Sequence, residues 1–367
     1  MKIKKILCSL FICMLCFMAT LTSVLAVDVY PTSNIDTACQ RAINFYKGRT
    51  LETPDEVIAV ESLGLEAEDE CNINTLIDDF KENDYNEATL GDLSKTIIAL
   101  SLTKQDPRSF NNSNLVELLE NKVKEDGSID GSTGPNIDVW VLYALFTVSS
   151  SKTTLVADRL STQNNIEGQE GAFWYFWEGK CADVDTTGWV VEVLSIIDKA
   201  KYNDSITSAI NYLKTKQQDD ASFGDYGASP NTQASVLTGL LAYDREGLLN
   251  GNYDKENAKA FKVLVDFQKE DGSVEMADWS TGEMTYNAMA TYQLSIALGS
   301  YKNNSVFLKA QKDYQSIINP EVKTTIDDVK KVAVKTGDET VIITYMSLTI
   351  VSAGLFLVLK KEYEKAN

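Results

Sequence analysis

The stretch CADVDTTGWVVEVLSII, residues 181–197, sets two carboxylates, Asp183 and Asp185, in front of an apolar run of helical period. Two acids so spaced suit a proton donor and the neighbour that tunes it, provided a dry pocket keeps the donor protonated. Trp174, Tyr175, Trp177 and Trp189 lie close in sequence and offer aromatic faces to a cation. The same acids also suit a structural duty. Asp185 stands where a helix N-cap belongs, and a carboxylate accepting from the free N–H groups of a first turn contributes about 0.5–2 kcal/mol. The 367-residue chain has no histidine. That excludes Ser-His-Asp and Cys-His nucleophile systems and leaves only Cys, Asp and Glu for a zinc site, so no metal and no required cofactor is expected.

The elements that position these acids recur. Four segments share one shape, a polar Gly-containing loop with acids followed by Asp, Asn, Thr or Glu opening an apolar helix: 123–146, 163–197, 217–243 and 268–298. Asn136, Asp185, Asn231 and Glu283 mark the helix starts, roughly every 50 residues. Weaker copies, PDEVIAVESLGLE (54–66) and LGDLSKTIIALSL (90–102), precede them. Each apolar helix follows an amphipathic one, at 37–47, 72–81, 114–123, 155–161, 206–216 and 257–268, wet on one side. Six such hairpins cannot bury themselves singly and must stack. The expected fold is all-α, an α6/α6 toroid over 27–319, with an open solenoid as the competing arrangement and 304–318 as a final outer helix.

Residues 1–26 carry three lysines, an apolar run, and Val24 and Ala26 where a signal peptidase reads, so cleavage after Ala26 is expected. Val341 to Leu359 is uncharged and long enough to span a bilayer, and Lys360 and Lys361 follow it. These features predict a tether at 320–340, a transmembrane helix at 341–359 and a cytoplasmic tail at 360–367. The toroid then faces outward in a type I orientation, on the extracellular side of the membrane or wall. The formal charge of −19 argues against nucleic acid or anionic lipid as a partner. The three cysteines beyond the leader imply one disulfide and a free thiol, with Cys39 and Cys71 the favoured pair and Cys181 left over, or three free thiols.

The loop signatures QKEDGS and QQDDASFGDYG resemble the repeat of the prenyltransferase and squalene-oxidase superfamily, whose members are α/α toroids. The run at 90–146, with DVDTTGWVVEVL and NAMATYQLSIAL, looks most like bacterial surface proteins with an intrinsic-factor-like, transcobalamin-like toroid. The resemblance covers roughly 35–318 and implies a toroid that binds a ligand, a corrinoid being the class it suggests.

Individual activities of that superfamily transfer only residue by residue. Protein prenyltransferases need a histidine on zinc, and thioester domains need Cys-Gly-Glu-Gln where Cys181 is followed by Ala-Asp-Val. Class II terpenoid cyclases use Asp-x-Asp-Asp with the middle acid as proton donor; Asp183, Asp185 and Thr186 match it with Thr in the last place. Cobalamin carriers add a small β domain for which nothing after 318 leaves room. VKTGDE (334–339) resembles a Gram-positive sorting signal without its Leu-Pro, with a cut expected between Thr336 and Gly337 if a sortase accepts it.

The expectation is therefore a non-catalytic toroid whose mouth binds a small molecule. Its candidate residues are Asp138, Trp140, Trp174, Trp177, Asp183, Asp185, Tyr226, Asn231, Gln233, Trp279, Glu283 and Tyr286. A cyclase-like enzyme using Asp185 as acid, and a surface module that contacts another protein, are the alternatives.

Overall fold

A helix that is apolar on nearly every face needs neighbours on every side, and six such helices in one chain satisfy one another by closing a ring. The computed structural model describes residues 29–225, 227–278 and 280–319. Its first hairpin is α1 (Thr32–Tyr46) and α2 (Pro54–Ser62), and a single turn, α3 (Ala67–Glu70), leads to α4 (Asn74–Glu82) and α5 (Leu90–Leu102). Next come α6 (Leu115–Glu120) with α7 (Pro135–Thr147), and α8 (Thr153–Leu160) with α9 (Val184–Asp198). Then α10 (Asn203–Thr215) pairs with α11 (Pro230–Leu249), α12 (Ala260–Asp266) with α13 (Ala288–Asn303), and α14 (Val306–Ile318) follows.

The inner ring is closed: α2 packs on α5, α5 on α7, α7 on α9, α9 on α11, α11 on α13, and α13 back on α2. Among the described residues this is a mostly helical toroid, and the open solenoid is excluded. The outer helices lean on the inner helix of the preceding pair, α6 on α5, α8 on α7, α10 on α9 and α12 on α11. By the same rule α1 seats on α13, so the first helix completes the last hairpin.

Polar caps and prolines fix where the inner helices begin. Thr53, Thr89, Asp183, Ser229 and Asn287 each accept a first-turn N–H, and Pro54, Pro135 and Pro230 occupy first-turn positions where the missing N–H costs nothing. The acidic loops ahead of them are turn chemistry. Asp126, Asp220 and Asp271 accept from the backbone N–H of Ser128, Ser222 and Ser273 at 3.0, 2.9 and 3.0 Å, an Asx turn repeated three times. The residue inside that turn, Gly127, Ala221 or Gly272, has positive φ, and the two glycines lie against the next outer helix; a Cβ on Gly272 would meet the Arg41 carbonyl oxygen at 2.4 Å. Two short antiparallel hairpins interrupt the pattern where the sequence suggested only short aromatic pieces. They are β1 (Trp174–Phe176) with β2 (Lys180–Ala182), and β3 (Glu275–Ala277) with β4 (Met284–Tyr286).

Helix α14 is not the outer helix that its amphipathic pattern suggested. It packs on α5 and α7, inner helices, and plugs the end of the ring where their C-termini lie. Phe307, fully buried, stacks on Tyr143 with 3.6 Å between centroids, and edge-on to Trp140. Lys309 reaches Glu61 at 2.7 Å and Asp313 at 2.6 Å, Gln311 donates to the Phe146 carbonyl, and Arg108 donates to the Tyr314 hydroxyl. The Tyr143 hydroxyl in turn donates to Glu192 Oε2 at 2.7 Å. Burial pushes the Glu192 carboxyl up to about 7 against the pull of the Ser305 and Tyr143 hydroxyls.

The seam between α9 and α11 is backbone against backbone from both sides. A Cβ on Gly188 of α9 would lie 2.7 Å from the Ser235 carbonyl of α11, and one on Gly239 would lie 2.4 Å from the Gly188 carbonyl oxygen. Gly188→Ala should therefore lower stability by about 1–3 kcal/mol in urea unfolding despite the better helix propensity of alanine. Gly91→Ala, in a helical position where the nearest foreign atom is 3.8 Å away, should leave stability unchanged or raise it slightly. Glu192 sets a second expectation. Its folded pKa lies above the ordinary carboxylate value, so its contribution is complete below about pH 4 and is lost as pH rises through about 7. The free energy of urea unfolding should fall between pH 5 and pH 8, by an amount on the order of 3 kcal/mol at most, and Glu192→Gln should flatten that fall.

Candidate functional site

The N-terminal ends of the six inner helices surround the mouth opposite the plug. Their second residues are Asp55, Gly91, Asn136, Asp185, Asn231 and Met289, and one turn further on stand Ala59, Lys95, Trp140, Trp189, Ser235 and Gln293. Several of these side chains meet across the seams. Lys95 pairs with Asp55 at 2.8 Å and holds its ammonium 4.6 Å from the Trp140 ring centroid. The Trp140 and Trp189 rings are 5.9 Å apart. Asn231 donates to Gln293 Oε1 at 2.7 Å. The result is a belt with an ion pair on one side, two indoles in the middle and amides opposite. Tyr292 adds a phenol whose pKa is raised by burial and by the nearby Asp55 carboxylate.

Asp183 and Asp185 exchange the roles that the sequence suggested. Asp183 is the N-cap of α9: its Oδ2 accepts from the Thr186 backbone N–H at 2.8 Å and from the Thr186 hydroxyl. Strand β2 ends at Ala182, and this leaves Asp183 as the extended residue from which the helix starts. Asp185 is inside the first turn, partly exposed at the mouth. Burial, and then the Asp183 carboxylate beside it, lift the Asp185 pKa to about 6, while a hydrogen bond to Thr232 of α11 holds it down.

The other predicted residues divide sharply. Trp140 and Asn231 belong to the belt. Asp138 does not: it accepts from Ser132 and from Gln163 Nε2 at 3.2 Å, clamping the loop ahead of α7, and its pKa is raised by burial. Gln233 is likewise consumed, accepting from the Phe223 N–H at 3.0 Å and donating to the Ala260 carbonyl at 2.8 Å. Thr187 and Thr291 occupy the same turn position in α9 and α13 and clamp Phe173 and Val274 in the same way. Trp174 donates to the Gln163 carbonyl and covers Gly134 with its ring.

Trp177 caps the β1–β2 hairpin at 71% exposure, beside Phe176 at 58%. Glu283 is not a helix start: the β3–β4 hairpin displaces the start of α13 to Asn287, and Glu283 sits in the hairpin turn. Tyr286, half exposed on β4, lies against Phe45. Cys39 and Cys71 are not bonded. Cys39 donates to the Leu298 carbonyl and Cys71 to that of Tyr46, with burial pushing the thiols up to about 12 and about 11. Cys181 is also a free thiol. Tyr226 and Trp279 lie outside the described residues, as do Thr336, Gly337, the leader, the tether, the apolar run 341–359 and the tail.

Asp55, Lys95, Asn136 and Gln293 were absent from the predicted set. The signal for the first two is the repeat register, because the weaker copies at 54–66 and 90–102 place Asp55 and Lys95 at the same turn positions as Asp185 and Trp189. The most voluminous groove described, about 610 Å³, is elsewhere. It lies among the N-terminal ends of α5 and α7 and the end of α6, bordered by Tyr85, Leu90, Leu118, Lys122 and Ile137, and touches no predicted site residue.

Comparison with known proteins adds to the fold and not to the chemistry. No family model matches the sequence, and no curated protein matches it. Among similar solved structures, a crystallised protein from Actinoplanes shares 12% identity over 73% of this chain and 98% of that one, with a TM-score of 0.51. ent-Copalyl diphosphate synthase from Streptomyces platensis shares 13% identity over 68% of this chain at a TM-score of 0.47, and the match spans 50% of that longer protein. A polysaccharide lyase shares 12% identity over 78% of this chain and 98% of that one, at 0.43. The fold is an α/α toroid. Identities this low carry the architecture alone.

The two acids separate in a stability measurement. Asp183→Ala should cost about 1–2 kcal/mol, as loss of a cap does. Asp185→Asn should instead stabilise the protein by about 1–2 kcal/mol at pH 7.5, a difference that vanishes near pH 4. The folded state favours the protonated acid, and that preference is lost as pH rises through about 6.

Proposed function

We propose that this toroid is a binding protein, displayed on the outside of the cell, whose mouth takes a flat, polar small molecule. The observation that carries the reading is the belt in which Lys95 and Asp55, the indoles of Trp140 and Trp189, and the Asn231–Gln293 amides share one opening. Indole faces receive a flat ring, while amides and an ion pair receive its polar edge, the mixture that specific small-molecule sites use. A corrinoid, which is flat and fringed with amides, has this chemistry and is the class that the sequence resemblance suggests. Export by residues 1–26 and retention by 341–359 complete the proposal.

A specific observation keeps one other reading in play, the Asp185 carboxyl with its pKa near 6 at the third place of an Asp-x-Asp-Thr motif. It would serve as the proton donor of a cyclase-like reaction on a polyprenyl diphosphate. Against it stands Lys95, whose fixed ammonium over the Trp140 ring occupies the face that a carbocation would need.

Tryptophan fluorescence of the full chain in detergent, titrated with hydroxocobalamin, tests the proposal. Saturable quenching is expected, weakened about tenfold or more in Trp140→Ala, as for loss of an aromatic anchor, and nearly unchanged in Asp185→Asn. Absence of saturable binding, together with turnover of a polyprenyl diphosphate that Asp185→Asn abolishes, would replace it with the enzyme reading.

A further inference from the structure

The opposite end of the ring holds a second, smaller cavity of about 290 Å³, open on one side and lined by α9, α11, α13 and the start of α14. Glu192 borders it and has no exposed surface. Its Oε2 accepts from Tyr143, but its Oε1 has no hydrogen bond; the Ser305 hydroxyl faces the carboxyl without completing one of normal geometry. Two further oxygens on the same cavity are equally unpartnered, Ser195 Oγ one turn along α9 and Ser300 Oγ on α13, the latter residue 2% exposed. Buried acceptors left unpaired each cost about 1–3 kcal/mol, and native proteins keep few of them.

Among the described residues no cation answers this carboxylate. Arg245 of α11 borders the cavity, but its guanidinium donates to the Ser300 carbonyl at 3.0 Å and to the Tyr301 carbonyl. Lys309 of α14 is held by Glu61, Asp313 and Glu66. Leu241, Ile196, Ala242 and Leu308 give the wall an apolar part, beside the polar Thr238, Asn304 and Ser305. A primary ammonium has three N–H donors and no acceptor, which matches three orphan oxygens, and an alkyl tail suits the apolar wall.

We infer that this lower cavity is a binding site for a small primary organic ammonium ion, seated on Glu192 Oε1 and the hydroxyls of Ser195 and Ser300. The volume lies at the lower limit of small-molecule pockets, so the occupant is a short amine. The site is independent of the mouth and of whatever binds there.

The test is calorimetric titration of the full chain in detergent at pH 8 with n-butylammonium chloride, with n-butanol and potassium chloride as controls. Saturable binding of the amine alone is expected, weaker by tenfold or more in the Ser195→Ala/Ser300→Ala double variant and lost in Glu192→Gln. Asn231→Ala, at the other end of the ring, should bind the amine as the wild type does. Because Glu192 must be ionised, with a pKa near 7, affinity should fall about tenfold from pH 8 to pH 6. Helical circular dichroism confirms that each variant is folded, and the serine variants keep the test valid if Glu192→Gln is not. No saturable binding up to roughly 50 mM, or binding equal in the double variant or equal for n-butanol, overturns the proposal and assigns the cavity to water.

Discussion

Six helices around one axis leave a channel at their centre, and filling one end of that channel is the constraint on which the rest of the structure depends. Phe307 does so by lying flat on Tyr143, and the Tyr143 hydroxyl is then committed to Glu192 across the seam to α9. An aromatic pair of this kind contributes about 0.5–1.5 kcal/mol beyond its buried area, and the area itself is the larger part. With the plug in place Glu192 is fully buried, and that burial is why its carboxyl resists ionisation.

The two ends differ because the six copies are not equivalent. The weaker early copies contribute the charged pair, Asp55 and Lys95; the third and fourth contribute the indoles; the fifth and sixth contribute amides. The second residue and the one a turn further on therefore carry chemistry that changes around the ring, and the mouth has a polar side and an aromatic side. The next positions along, Thr187, Gln233 and Thr291, vary little in duty, since all three clamp the loop that precedes their own helix. Repetition was kept where the backbone needed it and abandoned where side chains meet at the axis.

The stack of hairpins was legible in the sequence, because helices without a polar face can only be enclosed ones; the same pattern also fits an open solenoid, and closure is decided by the contact of α13 with α2. Asn136, Asp185 and Asn231 were correctly read as equivalent, and all three prove to be second residues of their helices. The assignment of the cap was not legible. Asp183 and Asp185 are chemically identical, and the two-residue difference was decided by where β2 ends. The β3–β4 hairpin misled the sixth copy in the same way, moving the helix start from Glu283 to Asn287. An amphipathic pattern states that one face of α14 is buried without stating against what, so its place in the channel could not be read from periodicity. Nor could Cys39 and Cys71, whose separate carbonyl partners depend on tertiary contacts.

The seat of α1 on α13 bears on how such a chain reaches its final form. Asp36 meets Lys302 across 266 residues of sequence, and Gln268 donates to the Ala38 carbonyl across 230. A polypeptide that emerges amino end first presents α1 long before its partner exists, so that helix must wait, one apolar face uncovered, until the last hairpin arrives. Contacts this distant in sequence slow folding and lengthen the interval in which greasy surface is open to other molecules. Assembly of the wheel is thus a single late event, completed by the oldest segment of the chain meeting one of the youngest.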